Sequence, residues 1–152
     1  SAGCSFQLSF GPFEAAIAHA SPYQKGGAFG QASVSVLNGR PVVIRRLDDH
    51  PSTARPTLAA RLRTLSLVSH PALCPILFYH IDDAGPICFA SPFPAVRHYG
   101  ETFHDGEFVG TLENALLMHP EMSPSQRLKF AADVAAGLDH LRACDIVHGA
   151  VC

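Results

Sequence analysis

Residues 123–152 read SPSQRLKFAADVAAGLDHLRACDIVHGAVC, and this stretch decides how the rest of the chain is read. Ser123 is a favourable N-cap and Pro124 suits the first helical position. Leu128, Ala131, Val134, Ala135, Leu138 and Leu141 then recur at spacings of three and four, the apolar stripe of an amphipathic helix. Arg127, Lys129, Asp133, Asp139 and Arg142 fall mostly elsewhere on the wheel. The spacing predicts a helix over 124–143 that fades at Ala143 or Cys144. A short apolar run, Ile146-Val147, leads to His148-Gly149-Ala150-Val151-Cys152.

Working outward, the 152 residues suit one ordinary domain, or one lobe and part of another. A hydrophobic fraction of 47% is that of a globular chain and too high for disorder. The net charge of -2 gives no overall pull toward nucleic acid or a membrane surface. No apolar run approaches a membrane-spanning length, and residues 1–5 lack the basic start and apolar core of a secretory signal. Cys4, Cys74, Cys88, Cys144 and Cys152 are odd in number and contain no C-x-x-C, which argues against a disulfide framework or structural zinc. A reduced, cytoplasmic setting is the expectation. His98 with His104, and His140 with His148, lack ligand spacing to nearby Cys or carboxylates, so no metal site is expected.

Phe6, Leu8 and Phe10 alternate as in a strand, Phe13 to Ala20 suits a short helix or another strand, and Ser21-Pro22 reads as a turn. Residues 25–47, KGGAFGQASVSVLNGRPVVIRRL, read as a glycine turn at Gly26, Gly27 and Gly30, a strand, a turn at Asn38-Gly39, and a return strand through Val42, Val43 and Ile44. Thr53 to Ser69 reads as a basic helix with Leu58, Leu62 and Leu65 on one face. Ile76–Ile81 and Pro86–Ala90 form a second hairpin around Asp82-Asp83-Ala84-Gly85. Residues 96–122 begin as a polar loop, with a short helix from Thr111 through Met118.

In this order the motifs resemble the protein-kinase family, in its tyrosine-kinase-like branch. Gly137-Leu138-Asp139-His140-Leu141 resembles the GL-x-x-L of a C-terminal-lobe helix, and Ile146-Val147-His148-Gly149-Ala150-Val151-Cys152 resembles the catalytic loop I-V-H-R-D-L-K. His148 matches; Gly149 stands at the Arg and Ala150 at the catalytic Asp. Lys25-Gly26-Gly27-Ala28-Phe29-Gly30 resembles the glycine-rich phosphate turn, Val42-Val43-Ile44-Arg45 the strand with the ATP-binding Lys, and His70-Pro71-Ala72-Leu73 the H-P motif before the fourth strand. Gly110-Thr111-Leu112 resembles a G-S-L. The resemblance places Arg61 where a Glu pairs with that Lys, Ser91 at the gatekeeper, and Pro92, Phe93 and Pro94 in the hinge.

The resemblance implies an α+β fold. Residues 1–21 would be an N-terminal extension and 22–95 a kinase-like N-lobe, an antiparallel sheet with one helix. Residues 96–152 would hold a loop and the start of a helical C-lobe, ending at the catalytic-loop position. Gly27, Gly30, Arg45, Ser91 and Phe93 are the candidate nucleotide groove. Phosphoryl transfer needs the Lys–Glu pair and an Asp beside the substrate hydroxyl. Arg45 and Arg61 would repel at contact distance, and Ala150 accepts no proton. The resemblance therefore implies a pseudokinase acting as an interaction or regulatory scaffold. It would have no catalytic residue, with ATP a ligand only if the groove survives. The alternative is an ATP-binding kinase domain with residual or atypical activity. A protein partner, or the remainder of the lobe, would cover the apolar face of helix 124–143. Two other classes carry less. Cys144, Asp145 and His148 are near in sequence, whereas nucleophile sites assemble from distant segments. Arg40, Arg45, Arg46, Arg55, Arg61 and Arg63 cluster without any RNA-binding signature. Neither nucleic acid nor membrane is expected as a partner.

Overall fold

The computed structural model describes residues 5–24, 32–47, 54–93, 112, 116–117 and 119–148. In chain order these give β1 (Phe6–Gln7), α1 (Phe10–Ala18), β2 (Ser21–Gln24), β3 (Ala32–Leu37), β4 (Arg40–Arg46), α2 (Arg55–Ser66), β5 (Phe78–Ile81), β6 (Ile87–Pro92) and a long α3 (Pro124–Ala143). The strands form one sheet in the order β1-β5-β6-β4-β3-β2. Every pairing is antiparallel except β1 with β5.

The β3–β4 hairpin closes through Asn38 and Gly39, both with positive φ (50° and 74°). That is the turn whose twist matches the flanking strands, and these two residue types reach it at least cost. Register follows directly, with Leu37 opposite Arg40 and Val34 opposite Val43. Ser21-Pro22, expected as a turn, instead begins β2. Proline is tolerated there because β2 is an edge strand, where a missing N–H breaks no inner ladder. A register irregularity between Pro22 and Gln24 accommodates it.

Strand alternation divides the core between the two faces of the sheet. On one face α1 lays Phe13 and Ala16 onto Leu37, Val42, Ile44, Phe78, Cys88 and Ala90. Phe13 is wholly buried. On the other, α2 lays Ala59 and Leu62 onto Leu47, Ile81 and Ile87, with Tyr79 and Phe89 at the margin. The stripe expected on α2 is rotated: Ala59, Leu62 and Ser66 are buried while Leu65 is exposed. Small Ala59 lets the helix sit close to the sheet.

The segment before α1 is tied down along β5. Phe6 N–H donates to Leu77 O and Leu8 N–H to Tyr79 O, both at 2.9 Å. Ser5 Oγ donates to Ile76 O. His80 Nδ1 donates to Leu8 O at 2.9 Å. At the far end of α1, Ser35 Oγ donates to Ala16 O at 2.7 Å.

α3 begins and ends as its sequence predicts. Ser123 Oγ accepts Gln126 N–H, and Gln126 Oε1 accepts Ser123 N–H, a reciprocal capping box. Arg127 donates to the carbonyls of Met122 and Pro120, pinning the preceding turn. In that turn Glu121 sits 3.1 Å from His119. A backbone hydrogen bond and then the His119 contact hold the Glu121 carboxyl below its ordinary range. At the C-terminus Asp145 takes a left-handed φ of 57°. Asp145 N–H donates to Arg142 O and Ile146 N–H to Leu141 O, the paired bonds of a Schellman turn. The expected helix 111–118 falls mostly outside the described residues; 112 and 116–117 are helical.

Candidate functional site

The face of the sheet that α2 covers carries the candidate groove. Residues directly opposite on paired strands share a face. Ala32, Arg45, Phe89 and Tyr79 therefore form one row across β3, β4, β6 and β5, and Val34, Val43 and Ser91 form the next. Ala32 and Val43 are buried, whereas Arg45, Phe89 and Ser91 are half-buried. Arg45 stands opposite Ala32, the first residue of β3, which in sequence follows the expected glycine turn. Gly27 and Gly30 in that turn lie outside the described residues, as does Ala150.

The charge arrangement departs from an ion pair. α2 reads RPTLAARLRTLS and contains no acidic residue, so it has no carboxylate to offer Arg45. Arg61 is exposed, and among the described residues neither arginine has a carboxylate partner. The like-charge clash is avoided by leaving Arg61 in water.

Backbone donors are also scarce at the strand end. Phe93 N–H donates to Pro41 O at 3.1 Å, which extends the β4–β6 pairing past Pro92. Pro92 and Pro94 have no N–H. Thus Phe93 holds the one amide hydrogen in this tripeptide, and it is already engaged.

α3 meets the sheet side through the turn that follows α2. Gly137 is buried against Ala72 and Leu73. One turn further along α3, the His140 ring stacks on His70, with centroids 4.8 Å apart and planes 27° from parallel. His148 lies exposed just beyond the Schellman turn. The remaining stripe of α3 is open among the described residues, with Leu128 70% and Val134 43% exposed. Among the described residues there is no cluster of three or more metal-ligating side chains and no helix long and apolar enough to cross a membrane.

Sequence reading placed Arg45, Ser91 and Phe93, and the structure puts Arg45 and Ser91 on one face of neighbouring strands. It missed Val43 and Phe89, which strand alternation counted from Arg45 would have found. It also missed the His70–His140 stack, which joins residues distant in sequence.

The sheet with α2 on the groove face, the connecting strand end and the long capped helix are those of a protein-kinase-like N-lobe and the first part of a helical C-lobe, with α1 added on the opposite face of the sheet. No family model matches the chain. It is 24% identical over 122 residues to the discoidin domain-containing receptor tyrosine kinase B of Caenorhabditis elegans, a match covering 80% of this chain and 14% of that protein. Its structure is similar to that of the pseudokinase DRIK1 (drought responsive inactive kinase 1), solved bound to ENMD-2076. That match has a TM-score of 0.63 at 14% identity and covers 93% of this chain and 52% of the other. The chain thus spans about a seventh of the curated relative and about half of the solved structure.

Proposed function

We propose that this kinase-like domain is a pseudokinase, which does not transfer phosphate and serves as a protein-interaction or regulatory scaffold in the cytoplasm. The observation that carries the reading is the missing counter-charge: α2 has no carboxylate to fix Arg45 in a phosphate-binding pose. Arginine is also longer and forked, so it does not replace lysine at a site of fixed geometry. The Pro92-Phe93-Pro94 segment has no spare N–H for a purine ring, and Ala150 stands where the proton-accepting Asp is expected. These residues do not fit Mg²⁺-ATP held for transfer. The open stripe of α3 is the surface that a partner, or further residues of the same lobe, would cover.

The alternative is a nucleotide-binding domain with residual activity. Arg45 favours it, because a half-buried cation with no carboxylate partner among the described residues can hold a phosphate. That a pseudokinase of this fold was solved bound to ENMD-2076 also shows a small molecule binding a related scaffold. Titration with a fluorescent ATP analogue, with and without Mg²⁺, separates the two. The scaffold reading expects no saturable binding up to about millimolar nucleotide. Saturable binding that Arg45→Ala weakens would establish the alternative.

A further inference from the structure

We infer that the junction between the sheet side and α3 is proton-sensitive: His70 and His140 latch it when uncharged and release it when protonated. The inference does not depend on whether the groove binds nucleotide. His70 shapes the turn on which α3 rests. Its carbonyl accepts Leu73 N–H at 3.0 Å and its ring Nδ1 accepts Ala72 N–H at 3.1 Å. Ala72 and Leu73 are the residues that seat Gly137. The same imidazole stacks on His140. One side chain thus maintains both contacts.

A nitrogen that accepts a hydrogen bond carries no proton, so His70 makes the Ala72 bond only through an unprotonated Nδ1. Protonation there converts the acceptor into a donor facing a donor, and Ala72 N–H loses its partner. It also places a positive charge against His140. A single charge can be accommodated by stacking on a neutral ring, but two charges at 4.8 Å repel.

Among the described residues the surroundings offer little compensation. Residues 67–77 contain no carboxylate, and His70 and Cys74 are their only titratable side chains. On α3, Asp139 is engaged by Arg142 at 2.8 Å, and Cys144 Sγ lies 3.9 Å from His140 Nε2. Asp145 follows in the Schellman turn, and Arg63, in the last turn of α2, is a further cation. Near-parallel rings do not converge two nitrogens on one ion, so the pair is not arranged as a metal site.

The test is deuterium exchange on the whole chain at about pH 7.5 and about pH 5.5, corrected for intrinsic exchange, the interval in which imidazoles gain charge. Acid is expected to speed exchange at Ala72 and over 141–146 on the order of tenfold, the scale of the Coulomb term for two exposed charges this close. His70→Asn keeps an acceptor for the N–H two residues on, and His140→Phe keeps a stacking ring. His70→Asn should remove the acid response at Ala72 and over 141–146, whereas His140→Phe should remove it over 141–146 and leave it at Ala72, where His70 alone sets the bond; both should protect these amides at the higher pH. No acid response in the natural chain, or the same response over 141–146 in both variants, would overturn the inference. If a variant does not fold, the imidazole NMR signals of the natural chain decide. An exchange rise that follows the titration of His70 and His140 supports the latch, and one that follows any other histidine overturns it.

Discussion

Gly137 of α3 lies against the backbone of Ala72 so closely that a β-carbon at 137 would come within 3.2 Å of the Ala72 carbonyl oxygen and 3.2 Å of Leu73 Cδ2. Glycine inside a helix costs roughly 1 kcal/mol relative to alanine, and here the cost secures close approach. Leu73 can shift, but the carbonyl belongs to a turn held by two hydrogen bonds to His70. Gly137→Ala is therefore expected to lose its helix-propensity gain and to leave stability unchanged or lower. Gly137→Leu should unseat α3. Urea unfolding of both variants, with protease sensitivity of the 70–77 turn, checks this; a clear stabilisation by Gly137→Ala would refute the tight seat.

Asp145 supplies the left-handed residue that glycine usually supplies in a Schellman turn. A side chain in that conformation carries a penalty of up to about 1–2 kcal/mol, smaller for Asp than for most residues. Asp145→Gly is expected to stabilise the chain by roughly 0.5–1 kcal/mol, since both capping bonds are made by the backbone. The measurement is the urea midpoint at unchanged slope. A loss of stability would mean that the Asp145 carboxylate does something the backbone bonds do not explain.

Phe13 is the largest wholly buried side chain on the α1 face. Phe13→Ala is expected to cost about 3–5 kcal/mol, a large share of the stability of a small domain. Because Phe13 packs on Val42 and Ile44 of the central strand β4, the loss should appear as global unfolding rather than fraying of α1. Probes on α1 and on β6 should report one transition; two separate transitions would show that α1 is an independent cap.

These cases also mark what the chain reveals before it is folded. α3 was legible to within a residue because its cap, period and stop signals are all local: Ser123, the three-and-four spacing, and the shift to Ile146-Val147. The Asn38-Gly39 hairpin was legible for the same reason. β1 was legible in part: Phe6, Leu8 and Phe10 alternate as in a strand, but only Phe6–Gln7 pairs with β5, and Phe10 already begins α1. The segment from Phe13 to Ala20 suited helix or strand equally, and burial of Phe13 and Ala16 on the sheet decided for helix. At the site, the substitutions at the expected Lys, Glu and Asp positions could be read as residue types. The engagement of Phe93 N–H by Pro41 and the stack of His70 on His140 could not, because both join segments that only the tertiary fold brings together.

Arg45 is half-buried between Ala32 and Phe89, with no carboxylate partner among the described residues. A charge removed from water without a counter-ion is a burden on the fold, whereas its aliphatic stem packs usefully. Arg45→Met keeps the stem and removes the charge. It is expected to raise stability by roughly 0.5–1 kcal/mol, in the direction seen when buried charges give way to apolar side chains of similar volume. Urea unfolding at low and at high salt makes the cause visible. Salt screens repulsion between charges but not lost hydration, so if desolvation is the burden the gain from Arg45→Met is the same at low and at high salt. If Arg45→Met is instead destabilising, Arg45 holds an anionic partner in the folded chain, and the groove must be searched for the anion it binds.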